Sequence, residues 1–404
     1  MPSRQPSPHK TAPDTSLQEQ LNFIPVPKGT VRLGLEQKIA ERFISSYGEI
    51  WSEFFLRETP RHEVAIEAFE LGRYPVTNGL YAQFIAAQGY EKPDYWTPDG
   101  WIWRVNTGRT QPLFWDSPKF AGETRPVVGL SWFEALALAR WASIVTGNSV
   151  RLPSEAEWEW AAHGTQANSM YPWGGAWDSG KLNSSKAIEG DSPLGTTALV
   201  GSFSPAGDGP FGHADLLGQV WEWTSSLFRP YPYTAGDGRE DLYTPEWRVL
   251  RGGSWSEGKY ANRITSRNLY LPSYSDANLG VRLATGGSVA PIAPRATHDL
   301  VLYGRETFCT DVINTKKWLH SWNVPYRQVN IDVEDQAALR LDEWLGTRTT
   351  PTLVVADQGS IDPFIQPLHA PPPNLRNADR GSILHEPDEA TLRAFLVRNG
   401  FLKA

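Results

Sequence analysis

Side chains able to do chemistry fall in two places along the 404 residues. The single cysteine, Cys309, ends the run DLVLYGRETFC and opens a helical pattern through Ile313, Lys317 and Leu319. A thiol there can be a nucleophile, or the small buried hydrophobe that an isolated cysteine more often is. One cysteine excludes an intramolecular disulfide framework and a zinc site of several thiolates. The second place is RGGSWSEGKYANRITSRN, Arg251 to Asn268, where Arg263 and Arg267 stand four apart. Two guanidinium forks so spaced could hold a carboxylate or phosphate, or pair with acids of their own domain. Glu222 lies between Trp221 and Trp223. A carboxylate in such an apolar stretch needs a partner if buried, and a metal ion or an arginine would serve. The eight histidines, His9, His62, His163, His213, His298, His320, His369 and His385, form no H-x-x-x-H pair.

These residues need elements to position them. Ser131 with Glu134 three residues on reads as a capping box, and Gly147 as the stop of that helix. Ser154, Glu157 and Gly164 repeat the pattern, and a third helix begins near Thr77 or Asn78. The rest up to Ala284 reads as short strands, turns and long loops, in keeping with 35 glycines and 32 prolines. Fifteen of the 18 tryptophans lie between Asn22 and Ala284, supplying a bulky core. Residues 1–20 are rich in Pro, Ser and Thr and read as a disordered tail; 285–297, TGGSVAPIAPRAT, read as a linker. From His298 to Ala404 the order is strand, helix, strand, helix, strand and a last helix near Asp388 to Asn399, an α/β layout with a parallel first strand pair. Net charge −7 speaks against non-specific nucleic-acid binding, and no apolar run approaches a membrane span. With no apolar stretch in the first residues, a soluble cytoplasmic protein is expected.

Seven separated blocks of the large domain occur in a telling order. They are Phe23–Gly34, Pro60–Phe84, Pro126–Trp141, RLPSEAEWEWAAHG at Arg151–Gly164, YPWG at Tyr171–Gly174, DLLGQVWEWTSS at Asp215–Ser226, and LRGGSW to LGVRLA at Leu250–Ala284. The series resembles the formylglycine-generating enzyme, or sulfatase-modifying-factor, family. That resemblance implies an α+β domain of C-type lectin type over 21–284, with bound calcium. One calcium site would use Asn183, the Ser184 carbonyl, Asp191 and the Pro193 carbonyl. A second would use the carbonyls of Leu217, Gly218 and Val220 with the Glu222 carboxylate.

Copper members of the family hold Cu(I) on two cysteines after the GGS motif, soft ligands for a soft ion. Ser254 is kept here, but those two positions hold Glu257 and Asn262. Neither replaces a thiolate, so the resemblance weighs against copper and against formylglycine formation by that route. The three-histidine site of the family's iron-dependent sulfoxide synthases has no counterpart pattern either. What the resemblance leaves is a cleft lined by Ser254, Trp255, Glu257, Asn262, Arg263, Arg267 and Asn268, suited to a small-molecule or peptide ligand.

The chain from 298 on resembles a glutaredoxin, a thioredoxin-fold protein. The resemblance places Cys309 at the nucleophilic cysteine, where a helix N-terminus favours thiolate. Thr350 and Pro351 match the threonine and cis-proline that face it, and Arg305 or Arg348 would meet a glutathione carboxylate. Residue 312 is valine, so no C-x-x-C exists and Cys309 can form only mixed disulfides. The combined expectation is a ligand-binding domain lacking copper cysteines, fused to a monothiol thiol-transfer domain. A non-catalytic binding scaffold and an oxygenase with an unrecognised metal site are the alternatives.

Overall fold

The computed structural model describes residues 15–402, apart from 167–168, 186–193, 235, 243, 245, 288–297, 306–308, 323, 358 and 365–373. Most of the expected linker therefore lies outside the described residues. The tail is shorter than expected, because Thr15–Leu21 forms helix α1. Its Leu17 and Leu21, four apart, enter the main core, and the Gln18 amide donates to the Thr146 carbonyl at 3.2 Å.

Helices α2 (Gln37–Tyr47) and α3 (Ser52–Leu56) follow, then α4 (Asn78–Ala86), α5 (Pro98–Thr107), α6 (Trp132–Thr146) and α7 (Glu155–His163). The capping signals act as read. Thr77 caps α4, and both sides of the capping box form at Ser131/Glu134 and at Ser154/Glu157. Gly147 ends α6 in the left-handed conformation at φ 72°.

Three small sheets surround these helices. Strands β1 (Phe23–Val26), β4 (Phe69–Gly72), β10 (Ala284–Gly286) and β5 (Val150–Arg151) form one sheet, in that order. Strands β2 (Gly29–Leu33) and β3 (His62–Ile66) form a hairpin-like pair. The third sheet runs β8 (Asn268–Tyr270), β7 (Arg248–Arg251), β6 (Trp221–Leu227), β9 (Leu279–Val281), with β6 and β9 parallel. Strand β6 is buried along its whole length, so both faces must be packed. Trp223 and Trp132 fill the core on either side of the β6–α6 contact. Each indole N–H donates to a carbonyl of the other element's region, Leu130 and Thr224, at 2.9 Å.

The C-terminal domain is one sheet in the order β12 (Arg327–Asn330), β11 (His298–Gly304), β13 (Thr352–Asp357), β15 (Ile383–His385), β14 (Ala378–Asp379). The β11–β12 pair is parallel as expected and β13 is antiparallel to β11. Alternation along β11 and β13 splits the core. Val301, Tyr303, Val354 and Ala356 pack under α9 (Asp335–Leu345). Leu300, Leu302, Leu353 and Val355 meet α8 (Thr310–Ser321) and α10 (Glu389–Arg398). Helix α10 also packs on the Pro93–Tyr95 turn of the large domain, and the Trp101 indole donates to the Asp379 carbonyl at 2.8 Å.

Candidate functional site

The arginines after the GGS motif are structural. Arg263 makes a bidentate pair with Glu58 at 2.6 and 2.7 Å, and Arg267 does so with Glu155 at 2.6 and 2.9 Å. All four side chains are buried. Burial alone would raise the Glu155 carboxyl, but Arg267 and Arg251 outweigh it and hold it below the usual range. The expected anion-gripping role of Arg263 and Arg267 is therefore corrected: their forks are already filled from inside the domain. Asn268 opens strand β8 and its Oδ1 accepts from the Leu269 backbone.

Glu222 also has an arginine partner inside the domain. The Arg282 guanidinium donates to both its oxygens at 2.8–3.0 Å, and the Trp158 indole donates to Oε2 at 2.7 Å. A calcium ion on that carboxylate would have to displace a buried cation. Of the two partners open to Glu222, the fold uses arginine. The neighbouring backbone is spent on packing: Gly218 donates to the Gly252 carbonyl and lies so close to Asn183 that an added Cβ would sit 2.1 Å from its carbonyl oxygen. Val220 is buried beside Phe120 and Leu217 packs in the core. Asn183 donates its amide to Thr196 O and Gln219 Oε1, and Ser184 follows it, buried. Asp191 and Pro193 lie outside the described residues.

The loop from Ser254 to Asn262 does gather polar groups. Ser254 Oγ donates to Glu257 Oε2, while Glu257 Oε1 accepts from the Trp221 indole at 3.1 Å and the Asn278 amide at 3.3 Å. Burial raises the Glu257 carboxyl above its ordinary range, opposed by the Ser254 and Trp221 hydrogen bonds. The Ser256 hydrogen bond lowers it further, and the nearby Asp276 charge raises it. Asn262 is fully buried and its amide ties the carbonyls of Ser254, Glu257 and Gly258 together at 2.7–3.3 Å. Asn262 thus shapes the loop and does not face a ligand. Trp255 lies half-buried against Phe120, with Lys119 Nζ 4.6 Å above its ring.

Sequence reasoning missed the wall beside this loop. Helices α2 and α3 bring Trp51, Tyr47 and Phe54 to 4.8, 6.2 and 6.1 Å from the Tyr260 ring, and Glu58 locks the segment to Arg263. Burial and the nearby Glu257 charge push Tyr260 up to about 12. The spacing of Ile39, Phe43, Ile44 and Tyr47 carried a helical signal for α2. Nothing local marked Glu58.

In the second domain Cys309 is the N-cap of α8, with φ −137° and ψ 114°, and its carbonyl accepts from Ile313. Its sulfur, partly exposed, lies 3.8 Å from the Thr350 carbonyl oxygen. The Thr350–Pro351 bond is cis. The fold therefore brings together Cys309, Thr350 and Pro351. Arg305 contacts Asp332 and donates to the Arg348 carbonyl, and Arg348 pairs with Asp342, all at the surface.

The sulfatase-modifying factor enzyme 1-like domain model matches residues 9–286, well over half of the chain. The chain belongs to that family. A glutaredoxin model matches 300–359, so the second domain is a glutaredoxin domain. Among curated relatives, hercynine oxygenase of Mycolicibacterium smegmatis is 37% identical over 248 residues, covering 56% of this chain and 55% of the relative. The formylglycine-generating enzyme of Streptomyces coelicolor is 34% identical over 275 residues, covering 58% and 84%. The chain spans about half the length of the hercynine oxygenases it matches. A solved relative, PvdO from Pseudomonas aeruginosa, aligns at 24% identity and TM-score 0.48 over 65% of this chain and 93% of its own. The fold is the expected one, a formylglycine-generating-enzyme-like domain followed by a thioredoxin-fold domain.

Glu257 and Asn262 are the side chains that the GGS loop presents at the two positions expected to matter for copper. A carboxylate and an amide whose N–H groups are spent on carbonyls do not fit Cu(I). No cluster of three or more His, Cys, Asp or Glu with metal-ligand proximity occurs among the described residues. No helix among them is long and apolar enough to cross a membrane.

Proposed function

We propose that this chain couples ligand binding beside the GGS loop to thiol–disulfide exchange at Cys309. The carrying observation is the Cys309 sulfur at a helix N-terminus, 3.8 Å from the Thr350 carbonyl and beside cis-Pro351. In this reading the reacting form of Cys309 is its thiolate, the nucleophile of disulfide exchange. That thiolate attacks one sulfur of a disulfide RS–SR′. The Cys309–SR bond forms as R′S⁻ leaves. With Val312 in place of a resolving cysteine, an external thiolate then attacks the mixed disulfide and frees Cys309. Glutathione, a small-molecule thiol or a peptide thiol would serve as the outside partner, in a reducing cytoplasmic setting.

The large domain's part is to bind. Glu257, held by Ser254, Trp221 and Asn278 and bordered by Trp255 and the Tyr260 ring cluster, is its polar anchor. Fusing it to the exchange domain raises the effective concentration of a bound thiol or peptide near Cys309. Calcium at Asn183, Ser184, Asp191 and Pro193 remains part of this reading as a structural ion.

Exposure of the full chain to oxidised glutathione tests the exchange step. Intact mass should show one glutathione adduct, absent in Cys309→Ser and removed by added thiol. An adduct that forms no faster than on an unstructured cysteine peptide overturns it.

The 37% identity to hercynine oxygenases favours a second reading, a metal-dependent oxygenase. It requires a metal site beyond the groups seen in the described residues. Stoichiometric iron or copper in the purified protein would support it, and calcium alone would favour the first reading.

A further inference from the structure

The Thr350–Pro351 turn is held from beneath by a residue that the exchange chemistry does not itself use. His385 ends strand β15, directly opposite Thr352 of β13. Its ring is fully buried and both nitrogens are engaged on the same turn: Nε2 lies 2.7 Å from Thr349 Oγ1, and Nδ1 2.6 Å from Thr352 Oγ1. The two threonines flank Thr350 and Pro351 on either side. The next residue, Glu386, donates its backbone N–H to the Pro351 carbonyl at 2.9 Å.

We propose that His385 is a positioning residue that fixes the Thr350 carbonyl and Pro351 opposite the Cys309 sulfur. Beyond the two hydroxyls, Nε2 lies 4.0 Å from the Glu386 carboxylate. A buried imidazole between two hydroxyls can donate from one nitrogen and accept at the other, so both threonine side chains are held in one orientation. Burial pushes the ring down to about 4, so it is neutral and retains this donor–acceptor pair near neutrality. The ring's contacts are with Thr349 and Thr352, whereas the sulfur's contact is with the Thr350 carbonyl between them. Its effect is therefore on where a disulfide partner docks and not on the thiolate. The catalytic part of this inference rests on the exchange reading above; the structural part does not.

The test uses the full chain with His385→Leu, which keeps bulk and loses both hydrogen bonds. The double variant Thr349→Val, Thr352→Val removes the same bonds from the other side with little change in shape, should the leucine variant fold poorly. Hydrogen exchange of the Thr349, Thr350, Thr352 and Leu353 amides is expected to quicken at least tenfold. Reaction of Cys309 with oxidised glutathione is expected to slow at least fivefold, while its alkylation by iodoacetamide keeps its pH profile within twofold in rate. His385→Gln, which can restore one bond, should recover part of both losses. Unchanged exchange of these amides in a folded variant overturns the positioning role, as does equal loss of glutathione reaction and alkylation. If the wild-type chain forms no adduct yet the amide exchange behaves as stated, the exchange reading falls and the positioning role stands.

Discussion

Single side chains decide what the large domain can hold. Glu222 is held by Arg282, whose guanidinium also donates to the carbonyls of Gly72, Arg73, Ala214 and Asp215. It is a hub that joins four segments. Glu222→Gln should lower stability by about 3–5 kcal/mol, because it leaves a buried guanidinium without its counter-charge. Urea unfolding followed by tryptophan fluorescence checks this, and a loss under about 1 kcal/mol would argue that the pair contributes little. Gly218 is equally constrained, at φ +76° with the Asn183 carbonyl where a Cβ would stand. Gly218→Ala should cost about 1–3 kcal/mol from the backbone conformation alone, and more from the clash. The same unfolding measurement reads it.

At the scale of elements, helix ends were legible because capping is local chemistry. Ser131 and Ser154 each accept from the N–H three residues on, and Glu134 and Glu157 return the bond. Ser154→Ala should cost about 1 kcal/mol. Glu157 also holds Arg151 through two contacts of 2.7 and 2.8 Å, so Glu157→Ala is expected to cost more than the cap substitution. Comparing the two by thermal unfolding tests that order. Helix α2 and its aromatic wall were missed although their spacing was present, because no functional motif drew attention to them. His385 was counted only as a histidine without a partner at metal spacing. Its role depends on β15 lying beside β13, a pairing of Thr352–Val354 with Ile383–His385 that no local pattern specifies.

For the molecule as a whole, buried histidines set the response to acid. Burial lowers His163 and His385 to about 4 and His213 to about 3. Between the unfolded value near 6.5 and these folded values, the unfolded chain binds protons that the folded chain refuses. Stability is therefore fully present above about pH 6.5 and lost as pH falls toward 4, at about 1.4 kcal/mol per unit for each group. Asp215, raised by burial to about 6, acts with the opposite sign over about pH 6 to 4 and offsets part of the loss. The urea midpoint should fall steadily from pH 6.5 to pH 4; a flat or rising midpoint would contradict this balance. The two domains also meet through Trp101 and Asp379, the latter fastened by Arg398 at 2.6 and 2.8 Å. Trp101→Phe keeps the ring and removes the N–H. Amide exchange in 378–381 and 389–398 should quicken while the rest of the second domain is unchanged.

Read alone, the sequence determined the two-domain division, the capped helices, the loss of both copper cysteines and the placing of Cys309 ahead of a helix. The capped helices and the place of Cys309 follow from residue type and short spacing, which local sterics and hydrogen bonding translate directly; the missing copper cysteines are read from the family resemblance. Tertiary structure alone decided which buried carboxylate meets which arginine, that Arg263 and Arg267 face inward, and that His385 lies under the cis-proline turn. Those outcomes depend on contacts across 33 to 205 residues, where a buried charge or polar group must be matched by whichever partner the packing delivers.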